Sequence, residues 1–307
     1  MPADSSAAAD LRTLADCIRW GASRFNEAQL VFGHGTDNAL DEAWALALHA
    51  LHLDDLPDAY LHTRLTRAER EAVLALFRRR IQTREPAPYL TGEAWFAGMP
   101  FKVDRRALVP RSPIAELIER RFAPWVNEDR VQRVLDIGTG SGCIAIACAL
   151  AFPEAQVDAV DSSAEALELA AENVAHYRLE GRVALYPGDV FEGLPAAARY
   201  DLIVTNPPYV DAAEMAALPA EFLAEPRGGL AAGEDGLAVV RRILEAAPGW
   251  LSEHGVLVCE VGNSAPALIA AYPNLPFTWV EFEHGGDGVF VLHRRQLRVN
   301  EQPARLN

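Results

Sequence analysis

Residues 134–142 read Val-Leu-Asp-Ile-Gly-Thr-Gly-Ser-Gly, followed by the apolar stretch Cys143–Ala151. An apolar run that ends on an acid, loosens into alternating glycines and passes into a helical pattern is a strand, a tight turn and a helix. Glycine lets the backbone turn sharply and approach a ligand without an intervening Cβ. The spacing excludes two ligands. A dinucleotide fingerprint needs its third glycine one residue later, where Cys143 stands. No Gly-Lys-Ser/Thr follows, so the loop is not a triphosphate cradle. Asp136 at the strand end would repel a pyrophosphate and suits a ligand that carries an ammonium group.

Outward from this loop, strands and helices alternate. Val131–Asp136, Gln156–Val160, Arg182–Leu185, Tyr200–Val204, Gly255–Glu260, Phe277–Phe282 and Gly288–His293 read as strands, with helical patterns such as Ala164–His176 and Gly236–Ala247 between them. The alternation predicts a doubly wound, mostly parallel seven-stranded sheet, with its ligand in the crevice beyond the carboxyl ends of the strands. The last two strands have no helix between them, which predicts that one is antiparallel.

The amino-terminal part is different. Leu11, Leu14 and Ile18, then Trp44, Leu48 and Leu51, recur at helical spacing, and Thr66 with Glu69 forms a capping-box pattern. Residues 1–88 therefore read as a helical bundle, 89–111 as a hairpin linker turning at Gly98–Pro100, 112–297 as the α/β domain and 298–307 as a tail. Ser112 is the expected helix cap, with Pro113 at the first helical position. The triplet Arg78–Arg80 reads as a solvated face.

The fourth strand of the α/β domain runs into Asn206-Pro207-Pro208-Tyr209. Prolines cannot continue a sheet ladder, so they fix the shape of this strand tip. In a doubly wound sheet the tip adjoins the glycine loop. A planar conjugated nitrogen is a poor nucleophile because its lone pair is delocalised. Two acceptors, the Asn206 side-chain oxygen and the Pro207 carbonyl, can hold its two N–H groups and stabilise the charge that develops as it attacks. Pro208 helps to aim the carbonyl and Tyr209 packs on the planar group. Positioning and fixed dipoles then carry the reaction without a strong base.

The loop resembles the first motif of the S-adenosylmethionine-dependent methyltransferases of class I. The Asn-Pro-Pro-Tyr segment resembles those that modify planar amines: DNA adenine, ribosomal RNA guanine and protein glutamine enzymes. The resemblance covers roughly residues 110–295. It implies S-adenosyl-L-methionine as cofactor, bound by Asp136, Gly138, Thr139, Gly140, Ser141, Gly142, Asp161, Asp189 and Asn206, with Asn206, Pro207, Pro208 and Tyr209 as catalytic residues. Asp161 ends the second strand, and two readings stand for it, acceptor of the ribose hydroxyls or helix cap. Asp189 is placed either for the adenine amine or simply in a Gly-Asp turn.

The acceptor is read from the rest of the chain. Its 307 residues carry a net charge of −15, which favours a basic polypeptide over nucleic acid. No segment interleaves basic and stacking aromatic residues as base-binding proteins do. Helical domain, hairpin and transferase, together with Tyr89–Glu93 and Val109–Pro113, resemble the protein-(glutamine-N5) methyltransferases. Phe32-Gly33-His34-Gly35-Thr36-Asp37-Asn38-Ala39-Leu40-Asp41-Glu42-Ala43, Arg111–Ile114 and Cys259–Asn263 resemble the branch that modifies large-subunit ribosomal protein L3. The release-factor branch usually has an acid where Ser112–Ile114 stands. A release-factor glutamine enzyme is the alternative, and an RNA or DNA amine methyltransferase a more distant one. Gly33–Asn38 reads either as substrate contact or as a loop and cap, and Glu225–Leu230 either as a mobile segment over the substrate or as a surface loop. The four cysteines form no metal-ligand pattern and read as buried thiols. With no membrane-spanning run and no secretion signal, a cytoplasmic enzyme with a basic protein partner, and without DNA, membrane or metal, is expected.

Overall fold

The computed structural model describes residues 10–297, and the tail expected over 298–307 lies outside them. The chain forms two compact units: residues up to Ala94 together with Pro219–Ala224, and Trp95–Leu218 together with Glu225 onward.

The first unit is helical, with α1 (Leu14–Glu27), α2 (Ala39–Ala50), α3 (Arg67–Thr83) and α4 (Ala87–Thr91). Local chemistry starts each long helix. Thr13 with Asp16 and Thr66 with Glu69 close reciprocal capping boxes, and the Asn38 side chain accepts from the Leu40 and Asp41 amides. Leu14, Phe25, Leu46, Leu74 and Phe77 are fully buried between these helices. Gly21 lets α1 approach α3: a Cβ there would stand 2.4 Å from the Phe77 ring.

One expectation fails here. Arg80 of the Arg78–Arg80 triplet is 0% exposed, not solvated. Its Nε donates to Glu42 Oε1 at 2.8 Å, and Glu221 of the short helix Ala220–Leu223 lies 3.8 Å from its Nη1. Burial pushes the Glu42 carboxyl above its ordinary range, while the Arg80 guanidinium pulls it back.

The hairpin consists of β1 (Glu93–Phe96) and β2 (Met99–Lys102). It turns at Ala97 and Gly98, both with positive φ (46° and 71°), rather than at Gly98–Pro100. Two positive φ values match the right-handed twist of a two-residue hairpin, so Pro100 is left within the strand.

The second unit continues with α5 (Ile114–Glu119), β3 (Arg133–Ile137), α6 (Cys143–Ala151), β4 (Gln156–Asp161), α7 (Ala164–His176), β5 (Val183–Pro187), β6 (Tyr200–Thr205) and α8 (Ala212–Ala217). After α9 (Ala220–Leu223), which belongs to the first unit, come α10 (Ala238–Trp250), β7 (Leu251–Glu260), α11 (Ala265–Ala271), β8 (Thr278–Trp279), β9 (Val289–His293) and α12 (Arg294–Leu297). The strands form one seven-stranded sheet in the order β5-β4-β3-β6-β7-β9-β8. All neighbours are parallel except those of β9, which runs against both β7 and β8. This is the class I methyltransferase fold anticipated from the sequence. Alternate residues fill a core on each face. Val134, Val204 and Val258 pack with Ile144 and Ile146, while Leu135, Ile203 and Leu257 pack with Ile243 and Leu244. Helices cover both faces, so the strands are apolar throughout and the polar chemistry is left to their tips.

Pro113 is itself the cap of α5 rather than its first residue. Ser112, one position earlier, accepts from the Ile114 amide and donates its own proton elsewhere.

Candidate active site

β3 and β6 lie side by side in parallel, with Asp136 opposite Val204 and Ile137 opposite Thr205. The glycine loop and Asn206 therefore leave adjacent strands at the same level. Thr205 Oγ1 donates to the Ile137 carbonyl at 2.8 Å and stitches the two tips together.

The loop is held by its own backbone. The Gly138 and Thr139 amides donate to the Val160 carbonyl of β4, and the Gly142 amide to the Thr139 carbonyl. Gly138, Gly140 and Gly142 have φ of 71°, 56° and 82°, a region that disfavours any side chain. Nothing lies within 4 Å of where a Gly138 Cβ would stand. Gly142 packs close to α7, where a Cβ would be 3.2 Å from that of Ala170.

Asp136 is fully buried. Its Oδ2 accepts from Thr139 Oγ1 at 2.6 Å and from the Ala145 amide at 3.1 Å, while Oδ1 has no hydrogen-bond partner among the described residues. Burial raises its pKa to about 7 against those two bonds, and the neighbouring Asp161 adds to the rise. Thr139 and Ser141 are buried beside it.

Asp161 lies between the loop and the start of α7 and is not the cap of that helix. Oδ1 accepts from the Ser163 amide ahead of α7, while Oδ2 accepts from the Gly140 amide at 2.9 Å and so faces the loop. The cap of α7 is Ser163. Asp189 follows β5 and forms a half-exposed ion pair with Arg242 of α10, 2.8 Å apart.

At the end of β6, Pro207 is buried, and Asn206, Pro208 and Tyr209 are partly buried. The segment is fixed from both sides. Val210 donates to the Leu230 carbonyl and accepts from the Ala232 amide, and the Tyr209 carbonyl accepts from Ser264 Oγ at 2.7 Å. The Tyr209 ring lies on Gly262, where a Cβ would be 2.6 Å from the ring. Its hydroxyl donates to Glu260 Oε1 at 3.1 Å.

Two groups of this neighbourhood escaped the sequence reading. Glu260, at the tip of β7 beside β6, is 4% exposed and accepts from Tyr209 and from Ser112. Its signal was an acid ending the apolar run Gly255–Glu260 at the carboxyl edge of the sheet, where ligands bind. Glu225 is also buried. It takes both guanidinium nitrogens of Arg111, at 2.6 and 2.8 Å, and the Val109 amide. The Glu225–Leu230 segment is thus anchored at Glu225 and again at buried Leu230. His34, in the segment read either as substrate contact or as a loop and cap, is 2% exposed and meets the Phe222 ring at a tilt, with ring centroids 4.4 Å apart.

A cavity of about 530 Å³ opens at the opposite, amino ends of the strands, lined by Arg133, Asp158, Tyr186 and Asp201. It contains none of the expected site residues. Asp158 there is satisfied by Arg133 and the Tyr200 hydroxyl.

Family models match in two places: the methyltransferase small domain over residues 120–254 and the PrmC N-terminal domain over residues 16–92. The chain is 57% identical over 294 residues to a ribosomal protein uL3 glutamine methyltransferase of Xanthomonas campestris pv. campestris, covering 95% of each chain. It is 54% identical to the protein of the same name from Bordetella pertussis, covering 94% of this chain and 98% of that one. The chain belongs to the ribosomal protein uL3 glutamine methyltransferase family. A third relative of that name, from Xylella fastidiosa, is 54% identical over 97% of this chain and 95% of its own. Coverage of this extent takes in the helical unit as well as the transferase fold. No helix among the described residues is long and apolar enough to cross a membrane.

Proposed function

We propose that this chain transfers the methyl group of S-adenosyl-L-methionine to the side-chain amide nitrogen (N5) of a glutamine in ribosomal protein uL3. The observation that carries this reading is the register of β3 and β6, which brings the Asn206–Tyr209 tip level with the glycine loop.

The residues at the loop fit the cofactor. Asp136 Oδ1 is a buried acceptor with no partner among the described residues, matched to the ammonium of an amino acid. The open space at Gly138 admits a ligand against the backbone. Asp161 retains lone pairs for ribose hydroxyls beyond the two amides it already accepts. Gly140, Thr139, Ser141 and Gly142 shape the remaining wall. Asp189 contributes to the adenine end once its exposed pair with Arg242 opens. When bound, the cofactor supplies a methyl group activated by a sulfonium.

The chain itself then has one task, which is to present the nitrogen. Asn206 Oδ1 and the Pro207 carbonyl accept the two amide N–H groups and direct the nitrogen face toward the methyl. As the carbon–nitrogen bond forms, positive charge develops on that nitrogen, and the two oxygens stabilise it. Pro207 and Pro208 keep the carbonyl aimed, and Tyr209 borders the planar amide. The nitrogen is strongly acidic after transfer, so its proton passes to solvent without a dedicated base.

Acidity suits a basic ribosomal protein as acceptor, and the helical unit is assigned to recognising it. The enzyme works in the cytoplasm, and DNA and membranes are not its partners. The test offers labelled S-adenosylmethionine with purified uL3, peptide-chain release factor and protein-free ribosomal RNA in parallel. Label is expected in uL3. Label confined to release factor or to RNA overturns the assignment.

A further inference from the structure

The methyl-transfer chemistry described above makes no use of Glu260, yet this carboxylate is buried and doubly hydrogen-bonded beside the reactive tip. It ends β7, next to β6, and is 4% exposed. Each of its oxygens has a different donor. Oε1 accepts the Tyr209 hydroxyl at 3.1 Å, and Oε2 accepts the Ser112 hydroxyl. Ser112 is itself fixed, because its oxygen accepts the Ile114 amide at 3.2 Å. The single proton of Ser112 is therefore spent on Glu260, and the carboxylate is oriented from the far side.

The Tyr209 ring has little other freedom. Gly262 lies against the ring so closely that a Cβ would meet Cε2 at 2.6 Å, and Ser264 Oγ holds the Tyr209 carbonyl. Gly236 has to be a glycine for the same reason, since a Cβ would come within 2.4 Å of that carbonyl. Backbone and ring are thus confined by the turn after β7, and the hydroxyl is fixed by Glu260.

We propose that Glu260, oriented by Ser112, is a positioning residue for methyl transfer: by receiving the Tyr209 hydroxyl it locks the ring that borders the acceptor amide. This role rests on the assignment of Asn206–Tyr209 to the acceptor. Its charged surroundings are Arg111, which favours the ionised carboxylate, and Asp287, which opposes it, with Glu214 near Tyr209 and the Cys259 thiol adjacent in sequence. Burial outweighs the Ser112 and Tyr209 bonds and Arg111, and raises the pKa of Glu260 to about 7. Once protonated, the carboxyl has a hydrogen where one of its two donors must be accepted, so the arrangement holds fully only above that value.

The test is a double-mutant cycle on kcat and KM with uL3 as acceptor, using Tyr209→Phe, Glu260→Ala and the double variant, with Glu260→Gln as the conservative control. A hydrogen bond to a charged group is worth a factor of roughly 10 to 100, so each single variant should lower kcat by at least about 10-fold. KM for the cofactor should change little. The double variant should be no worse than the poorer single one, because the two side chains act through one bond. Glu260→Gln keeps an acceptor for the phenol and should recover most of the loss. At saturating cofactor the wild type should show a kcat limb near pH 7 that is absent in Glu260→Gln. Losses that multiply in the double variant overturn the proposal, as does a limb that persists in Glu260→Gln. Should Glu260→Ala fail to fold, Tyr209→Phe and the Glu260→Gln pH profile decide alone. Wild type that labels uL3 while the cycle is additive overturns the role of Glu260 only. Wild type that leaves uL3 unlabelled overturns the function and this role together.

Discussion

Replacing Asp136 with asparagine should abolish a pH dependence of cofactor affinity while leaving the fold intact. The free carboxyl has a pKa of about 7 because it is buried, and its Oδ1 has no partner among the described residues to compensate. An ammonium placed against Oδ1 requires the ionised form and draws the pKa down, so binding releases a proton below neutrality. Between about pH 8 and about pH 6 the ionised fraction of the free enzyme falls from about nine-tenths to about one-tenth, which weakens affinity about 10-fold. In Asp136→Asn the amide oxygen can still accept from Thr139 and Ala145, and the amide NH₂ then occupies the position of Oδ1. Affinity at the higher pH should fall roughly 10- to 100-fold, as expected for loss of a charged hydrogen bond, and the pH slope should vanish. Stability should move the other way. The folded pKa lies above the ordinary 3.8, so ionising Asp136 costs stability progressively as pH rises from about 4 through 7, on the order of 4 kcal/mol in all. The asparagine variant should therefore melt higher than wild type at about pH 8 and show little advantage at about pH 4. Isothermal titration calorimetry across this range, in buffers of differing ionisation enthalpy, reads both affinity and proton release. Equal affinity at both pH values in wild type, or undiminished affinity in Asp136→Asn, would refute the reasoning.

Two further outcomes follow from the geometry. Asn206→Ala removes one of the two acceptors for the attacking amide, so kcat should drop about 10²- to 10³-fold while calorimetric cofactor affinity largely survives; near wild-type turnover would exclude the role given to Asn206. Arg80→Met leaves Glu42 buried without its counter-charge and should cost about 3–5 kcal/mol in chemical denaturation at neutral pH, with a loss that shrinks as the pH is lowered, because burial holds the Glu42 carboxyl above its ordinary range and favours its protonated form.

What could be read from the sequence divides by range. The loop at Gly138–Gly142 and the tip at Asn206–Tyr209 declare themselves because glycine and proline have local meanings that need no partner. Their adjacency also followed, because strand order in a doubly wound sheet is a topological rule, and β6 does lie beside β3. The single antiparallel strand was legible from a missing helix. Long-range pairings were not. Arg80 looked solvated within its triplet because its partner Glu42 is 38 residues away on another helix. Glu260 meets Tyr209 across 51 residues and Ser112 across 148, and only the folded sheet brings the three together. The burial of His34 and Glu225 is hidden from the sequence for the same reason: each is enclosed by contacts that sequence spacing does not encode. The hairpin turn falls at Ala97–Gly98 rather than Gly98–Pro100 because Ala97 takes a positive φ that no propensity suggests.

The central claim is that a glutamine side-chain nitrogen of uL3 receives the methyl group. The most direct measurement labels uL3 with methyl-labelled S-adenosylmethionine, isolates the modified peptide by mass spectrometry and hydrolyses it in acid. An N5-methylated amide yields labelled methylamine and unlabelled glutamate, and the peptide should carry one methyl group on a glutamine. Label that stays attached to the released amino acid, as it would on a lysine or arginine, or a uL3 that acquires no label, contradicts the account.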